Sequence, residues 1–540
     1  MLSIALQSFL LIPLLFFGSL GLGNSLSLST SARWVVDMAS GRRVKLSCVN
    51  WVAHMQPMVA EGLDKKPLQD IASKVASLGF NCVRLTWATY MFTRTQPVKF
   101  TVAQSLNSLG LGEAAIGIVS NNPSLFNLTL LQAYDAVVDQ LGTNGLMVVL
   151  DNHVSRPQWC CGDNDGNGFF GDTYFDPEEW LQGLDIVAKR FSGKSQVVGM
   201  SIRNELRGPR QSETDWYRYI RRGVKKIHKA NPNVLVIVSG LNYDTELSFL
   251  KGTPLGVNLD NKLVYEAHWY SFSEGNRLVW KTQPPGQVCA DAIRRLEDRA
   301  GFVMEGDNPV PMFISEFGVD QTGENPADNR FLSCFLAFAV ERDMDWAMWA
   351  LQGSYYLRNG QAGFEETYGV LDGNWDQTRN PKFQERFRLL QEIIQDPRSD
   401  TPTYHIIFHP LSGLCVRVNE NNSVEASDCR DRSHWSYEGG QAPIRLLGTG
   451  LCLGVTGDGL PVTLSSTCSS EQSNWSIVSS SKLHVAAKDV EGRALCLEIN
   501  SSNSSTILTS KCVCSIDDNN CDENLETKWF KLIPTNLKLN

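Results

Sequence analysis

The chain has 540 residues, is 42% hydrophobic and 20% charged, and carries a formal net charge of -9. This is ordinary globular composition, with length enough for a large domain and a smaller one. The acidic balance argues against nucleic acid or an anionic membrane as the principal partner.

Residues 1–28 contain an apolar stretch at 9–22, interrupted by Pro13 and Gly18, and then small and polar residues. The run is short for a membrane span and reads as a secretory signal peptide. Fourteen cysteines and five N-x-[ST] acceptors, at Asn127, Asn421, Asn474, Asn500 and Asn503, agree with an oxidising extracellular destination such as a cell wall or apoplast-like space. No later segment reads as transmembrane, so the expectation is a secreted monomer with no stable membrane insertion.

Eight β-like runs follow: VKLSCVNW (44–51), FNCVRLTW (80–87), LMVVLDNH (146–153), VVGMSIRNE (197–205), VLVIVSG (234–240), LVYEAHWY (263–270), PMFISEFG (311–318) and DWAMWAL (345–351). Between them, segments 67–78, 130–142, 177–191, 213–230 and 330–342 have helical periodicity or composition. Near-continuous apolar strands alternating with helices imply a parallel sheet covered by helices. Eight such units predict an α/β fold, a (β/α)8 TIM barrel over residues 34–395, closed by a helical stretch at 382–395. The strand C-termini of such a barrel form its functional face.

Polar residues end most of these runs: Asn50, Arg84, Asn152 with His153, Asn204 with Glu205, His268 with Tyr270, Glu316, and the amphipathic Trp349. Glu205 and Glu316 are the acids best placed to face each other, because a barrel gathers strand ends that are distant in sequence. Glycoside hydrolysis needs such a pair, one carboxyl to protonate the leaving oxygen and one carboxylate to attack or to activate water. Asn204 is expected to hydrogen-bond a sugar hydroxyl, and Arg84 or Tyr270 to hold Glu316 ionised. Glu205 needs a raised pKa to act as an acid near neutrality, which an ionised Glu316 beside it would supply. A structural alternative is that Arg203, on the same face by strand alternation, and Arg207 simply pair with Glu205. Trp51, Trp87, Trp159, Trp269 and Trp349 fall at or near the rim, where aromatic faces pack against pyranose rings, although each fits a core position equally. His153 and His268 read as hydrogen bonders at the site. The histidines form no convincing metal set, and neither metal nor cofactor is expected.

The loop CCGDNDGNGFFGD (160–172) places Asp163, Asp165, Asn167 and Gly168 as in the first half of a calcium loop, but Tyr174 stands where the closing Glu belongs. A turn rich in Asp, Asn and Gly is the expectation. Either Cys160 or Cys161 could reach Cys289, which would leave the other for a different partner, and the sequence leaves this pairing open. Cys48, Cys82 and Cys334 are expected to be buried thiols.

Residues 396–403 (DPRSDTPT) read as a linker, and residues 404–540 as a second domain rich in Ser, Gly, Asn and Cys. Cys415, Cys452 and Cys496 sit in GLCVRV, GLCLGV and ALCLEI; each is followed by a second cysteine, Cys429, Cys468 or Cys512, and then by Trp435, Trp475 or Trp529. Three units too small to bury a core alone predict a threefold β structure with Cys415–Cys429, Cys452–Cys468 and Cys496–Cys512 bridges, and Cys514–Cys521 as a fourth. The barrel, complete without this domain, is expected to fold alone.

Together SIRNE (201–205), SEFG (315–318), Arg84 in CVRLTW, His153 in DNH, His268 and Tyr270 in HWY, and Trp349 resemble glycoside hydrolase family 5, the cellulase family, over residues 34–395. The resemblance implies Glu205 as general acid/base, Glu316 as nucleophile, and Arg84, His153, Asn204, His268, Tyr270 and Trp349 as substrate-binding residues, with retention of anomeric configuration. Residues 404–540 resemble a ricin B-like β-trefoil lectin domain. Where that family has Gln two residues before Trp, this chain has Ser433, Ser473 and Thr527; where it has a binding Asp after the first cysteine, this chain has Arg417, Gly454 and Glu498.

The expected function is a secreted retaining glycoside hydrolase of endo-β-1,4-glucanase type, with cell-wall polysaccharide or oligosaccharide as its partner. A β-mannanase or a transglycosylase would use the same two glutamates. The non-enzymatic alternative is an inactive carbohydrate-binding wall protein, against which the intact Glu205 and Glu316 argue.

Overall fold

The computed structural model describes residues 27–273, 277–500, 502–503, 505–513 and 525–539. The signal-peptide reading lies outside the described residues except for Ser27 and Leu28, and the Cys514–Cys521 link lies wholly outside them.

All eight runs form strands: β1 Ser47–Trp51, β2 Cys82–Ala88, β3 Met147–Val154, β4 Val197–Ser201, β5 Leu235–Val238, β6 Leu263–His268, β7 Met312–Phe317 and β8 Asp345–Met348. Each pairs in parallel with its successor, and β8 returns to β1, closing the barrel. Almost every strand residue is buried, which is why the runs are apolar on both faces.

Helices α1 Leu68–Ser77, α2 Leu130–Thr143, α3 Pro177–Arg190, α4 Glu213–Ala230, α5 Pro285–Arg299 and α6 Pro326–Glu341 lie along the barrel chain. Their starts are written locally. The Asp176 carboxylate accepts the N–H groups of Glu178 and Glu179, Pro177 fills the first helical position, and Lys189 and Arg190 end α3. The closing stretch is helical only over Pro381–Arg386 and Arg388–Gln391. Among the described residues no helix is long and apolar enough to cross a membrane.

A hairpin, Leu28–Ser31 with Trp34–Asp37, closes the end of the barrel where the strands begin. Its Leu28 and Val35 pack with Cys48, Cys82, Val149 and Phe313 of the barrel interior. Beside it lies a buried ionic cluster. Arg43 makes a bidentate pair with Asp345, at 3.1 and 2.9 Å, and Lys45 Nζ sits 2.5 Å from Asp343.

Three cysteine expectations are corrected. Cys48 and Cys82 stand opposite each other in the β1–β2 register and are disulfide-bonded, not free thiols. Cys334 on α6 is bonded to Cys289 on α5, and Cys160 and Cys161 are bonded to each other.

The described residues between 404 and 535 are all-β, apart from short 3-10 turns. Strand Tyr404–His409 pairs along its length with Lys531–Thr535. Cys415–Cys429, Cys452–Cys468 and Cys496–Cys512 are bridged, and Trp435, Trp475 and Trp529 are fully buried. This region does not stand apart from the barrel. Phe408, Trp529 and Ile533 belong to the same apolar cluster as Phe387 and Leu390 and the α6 residues Phe335 and Phe338. Polar ties reinforce the seam: Arg386 donates to Ser333 and Pro410, and Lys531 pairs with Glu341 at 2.8 Å. The joining segment is pinned as well, with Asp396 N–H donating to Asn536 at 2.9 Å. A barrel ending at residue 395 would therefore expose core, against the expectation that it folds alone.

Candidate active site

Arg84 on β2 is fully buried beneath the rim. Its Nη1 donates to Glu316 Oε1 at 2.8 Å and to Asn50 at 2.9 Å, and its Nη2 to Asn204 Oδ1 at 3.0 Å. The second oxygen of Glu316 accepts from Tyr270 OH at 2.9 Å. Both oxygens of the β7 carboxyl are thus held by donors.

Glu205 lies beyond the end of β4, in a left-handed backbone conformation with φ 42°. Its carboxyl meets His268 Nδ1 at 2.8 Å, and that nitrogen is 3.7 Å from Glu316 Oε2. One carboxyl oxygen of Glu205, one of Glu316 and a ring nitrogen of His268 all lie within 4.8 Å of one another. The two carboxyls open onto a cavity of about 780 Å³ whose lining includes His153, Trp159, Asn204, Tyr270, Phe272 and Trp349. The Glu205 side chain is 14% exposed and that of Glu316 6%.

Burial pushes both carboxyls up to about 7. Arg207 and Arg84 work against the rise at Glu205; His268 and Arg84 do so at Glu316. Burial, rather than the charge of Glu316, is therefore the main source of the acid character of Glu205. Nor is Glu316 drawn below the usual carboxylate range: Arg84 and Tyr270 fix its position while burial favours its proton.

The alternative pairing of Glu205 with neighbouring arginines is overturned. The chain leaves strand geometry after Ser201, so alternation does not place Arg203. Arg203 donates to Asn152, Ser155 and the Asn167 carbonyl, and its guanidinium lies over the Phe175 ring. Arg207 pairs with Asp165 at 2.5 Å and donates to the carbonyl of Glu205, not to its carboxyl.

His153 is oriented by Asp151 at 2.6 Å, and its ring lies between His54, at 4.1 Å, and Trp349, at 5.5 Å. Of the five rim tryptophans, Trp159 and Trp349 line the cavity, whereas Trp51, Trp87 and Trp269 are buried in the core. The 160–172 loop is a turn: Asn167 accepts from Ser155 and Arg156, Asp172 accepts from Gly168 and Phe169, and Asp165 is occupied by Arg207. Among the described residues two groups are close enough to hold an ion, Glu205 with His268 and Glu316, and His153 with Cys160 and Cys161. In the first, both oxygens of Glu316 are already engaged, by Arg84 and Tyr270; in the second, the sulfurs are tied in a disulfide.

Sequence reasoning missed Asp151, Glu266, Asp244 and His54, all buried around Arg84 or the histidines. The first two stood in plain view as single acids inside apolar runs, LMVVLDNH and LVYEAHWY, and burial of an acid in a strand is itself a signal. Asp244 and His54 lie in loops, where nothing in the sequence marks them.

Residues 37–354 match the family described as cellulase (glycosyl hydrolase family 5). A "glycosyl hydrolase 5 family protein" of Chamaecyparis obtusa is 46% identical over 531 residues, covering 96% of this chain and 94% of its own. An endoglucanase of Paenibacillus polymyxa is 20% identical, over 68% of this chain and 87% of its own. The major extracellular endoglucanase of Xanthomonas campestris pv. campestris is 25% identical, over 71% of this chain and 75% of its own. Among solved structures, a hyperthermophilic endocellulase of the archaeon Pyrococcus horikoshii shares the fold with TM-score 0.54 at 22% identity, over 68% of this chain and 99% of that one.

Proposed function

Because the chain belongs to the cellulase family, glycosyl hydrolase family 5, we propose that it is a retaining endo-β-glycanase that cleaves β-1,4-glucan by double displacement. The observation that carries this reading is the spacing of the carboxyls, whose nearer oxygens lie within 4.8 Å. Retaining enzymes keep their two carboxyls roughly 5–5.5 Å apart, whereas inverting ones leave roughly 6.5–9.5 Å for a water.

The asymmetry of donors supports a division of roles. Glu316, with Arg84 on one oxygen and Tyr270 on the other, is aimed and charge-supported as the nucleophile. Glu205, contacted by His268 and more open to the cavity, gives its proton to the departing glycosidic oxygen as Glu316 attacks the anomeric carbon. Water then enters, Glu205 takes its proton, and the glycosyl ester on Glu316 is hydrolysed. Arg84, His153, Asn204, His268, Tyr270 and Trp349 hold the reacting sugar and the two glutamates in register. The β-glucan assignment rests on the relatives named endoglucanases and on the aromatic lining of the cavity. The leader reading and the bridged cysteines support secretion.

Residues 404–540 read as a ricin B-like trefoil on the strength of three equivalent bridges and three buried tryptophans. Its polar repeat positions are engaged internally: Ser433 accepts from Val418 N–H, and Glu498 is held by Thr527 and Lys528. We read it as a packing partner of the barrel rather than a sugar reader.

Purified protein offered β-glucans, mannans and xyloglucan should release new reducing ends from β-glucan. Longer oligomers would mean transfer, and no product would mean binding alone. A mechanism-based fluorosugar should label Glu316; a label on Glu205 would reverse the roles, and an inverted first product would exclude double displacement.

A further inference from the structure

Asn242, Tyr243 and Asp244, in the loop after β5, have φ of 52°, 59° and 58°, three consecutive non-glycine residues in the left-handed region. Such a run persists only where surrounding contacts impose it. Those contacts are present. Leu241 and Glu246 pair as a bridge at the base of the loop. Asn242 N–H donates to Gln211 Oε1 at 2.6 Å, Tyr243 N–H to the Leu206 carbonyl at 3.1 Å, and Tyr243 OH to Asp163 at 2.5 Å.

The loop delivers one carboxyl to the acid/base. Asp244 is fully buried, and among the described residues no lysine or arginine pairs with it. Its Oδ2 accepts the backbone N–H of Glu205 at 2.9 Å and lies 3.5 Å from His268 Nε2. Its own carbonyl accepts the backbone N–H of His268 at 3.0 Å. A buried carboxyl without a cation is costly unless it does something there. Burial, and then the neighbouring Glu266, push the Asp244 carboxyl well above the usual carboxylate range.

We propose that Asp244 is a positioning residue for the acid/base: it locks the left-handed backbone of Glu205 and the ring of His268 into one unit, so that His268 Nδ1 meets one carboxyl oxygen and the other keeps its proton for the leaving group. The inference rests on the reading of Glu205 as acid/base. Sequence gives no hint of it, because Asp244 follows the strand end in an unremarkable NYDTE loop.

The test compares the parent full chain with Asp244→Asn, Asp244→Ala and Glu205→Ala on two aryl β-glycosides of the sugar the parent prefers, dinitrophenyl and phenyl. The dinitrophenolate leaves without protonation; phenolate requires it. For Asp244→Ala, kcat/KM on the phenyl glycoside should fall by about 10- to 100-fold, part of the roughly 10²–10⁴-fold that a general acid supplies. On the dinitrophenyl glycoside it should stay near the parent value. Asp244→Asn keeps the side-chain shape and an acceptor for Glu205 N–H, and should show the same split, smaller. Equal losses on both glycosides would reduce Asp244 to a structural part and overturn the proposal, as would an unchanged phenyl rate in both variants. Glu205→Ala separates the two levels: if it shows no leaving-group dependence, the acid/base reading itself falls, and this inference with it.

Discussion

The two ends of the barrel bury charge in opposite ways. Where the strands begin, two cations meet two anions: Arg43 is paired with Asp345 and Lys45 with Asp343. Where they end, one guanidinium, that of Arg84, meets three carboxyls, Asp151, Glu266 and Glu316, with Glu205 and Asp244 just beyond, and the nearby Arg207 is already paired with Asp165. At the balanced end, burial works against ionisation of Asp343, but Lys45 and Arg43 overcome it and hold the carboxyl below its ordinary value. At the unbalanced end burial wins, and Glu205 and Glu316 are pushed up. Balance fixes protons in place; a shortage of cations leaves them movable near neutral pH, which is what acid/base chemistry needs.

Substitutions at the two ends should therefore fail in different ways. The largest effect is expected from Glu316→Gln, which should lower glycosidase activity by about 10⁴-fold or more while leaving the melting temperature close to the parent's. Reducing-sugar release and calorimetry on the same sample would check both halves, and a stable, active Glu316→Gln protein would erase the contrast.

Next comes Asp343→Ala, which strands Lys45 in the core. It should cost about 3–5 kcal/mol in denaturant unfolding, the usual penalty for breaking a buried pair, with kcat per folded molecule unchanged. A loss of turnover without a loss of stability would mean that the lower cluster reaches the site.

The dependence of stability on pH should carry opposite signs at the two ends. Folded Glu205 and Glu316 hold their protons up to about 7, against 4.5 for an ordinary glutamate. Their stabilisation is complete below about 4.5 and is lost as pH rises through about 7. Asp343, held below its ordinary 3.8, contributes stability that is present above that value and lost as pH falls through its folded pKa. Melting temperatures between pH 4.5 and 7.5 should fall with rising pH in the parent and fall less steeply in a Glu205→Gln, Glu316→Gln double variant, where Asp244 and the other buried acids keep their raised values. A parent curve no steeper than the variant's would refute the raised values of Glu205 and Glu316.

The smallest effect should come from mild reductant. Cys161 is the one described half-cystine that is not buried, and it lines the cavity beside Asn204. A phosphine should open Cys160–Cys161 first, raising KM modestly while the melting temperature holds; peptide mapping that found another bridge opened earlier would contradict this.

What could be read from the sequence was whatever repeats at short range. Eight apolar runs, the helical segments between them, and the three Cys–Cys–Trp units all carry their signal within short stretches. The carboxyls at 205 and 316 were recognisable because strand ends of a barrel converge by rule. What escaped depended on register or on departures from regular geometry. Cys48 bonds Cys82 only because β1 and β2 align those two residues, and no single strand records its neighbour's alignment. Arg203 was misplaced because strand alternation was extended past Ser201, where the backbone turns toward the left-handed Glu205. The barrel seemed self-sufficient because α6 reads as an ordinary covering helix, although its apolar residues run around the whole circumference, and a helix hydrophobic all round is one buried on every side.

That last point bears on how the protein is made. One flank of α6 is covered by strand Lys531–Thr535, and Ile394 just beyond the closing helices accepts from Thr535 Oγ1 at 2.6 Å. The ribosome emits the whole barrel long before it emits that strand, and a domain emerging first ordinarily begins to fold first. Here the α6 flank that strand Lys531–Thr535 covers is made without that cover, and the barrel meets this packing partner only once the β region has been translated. Slow codons or premature stops between residues 404 and 531 would thus act on the catalytic half of the molecule, although they touch none of its residues.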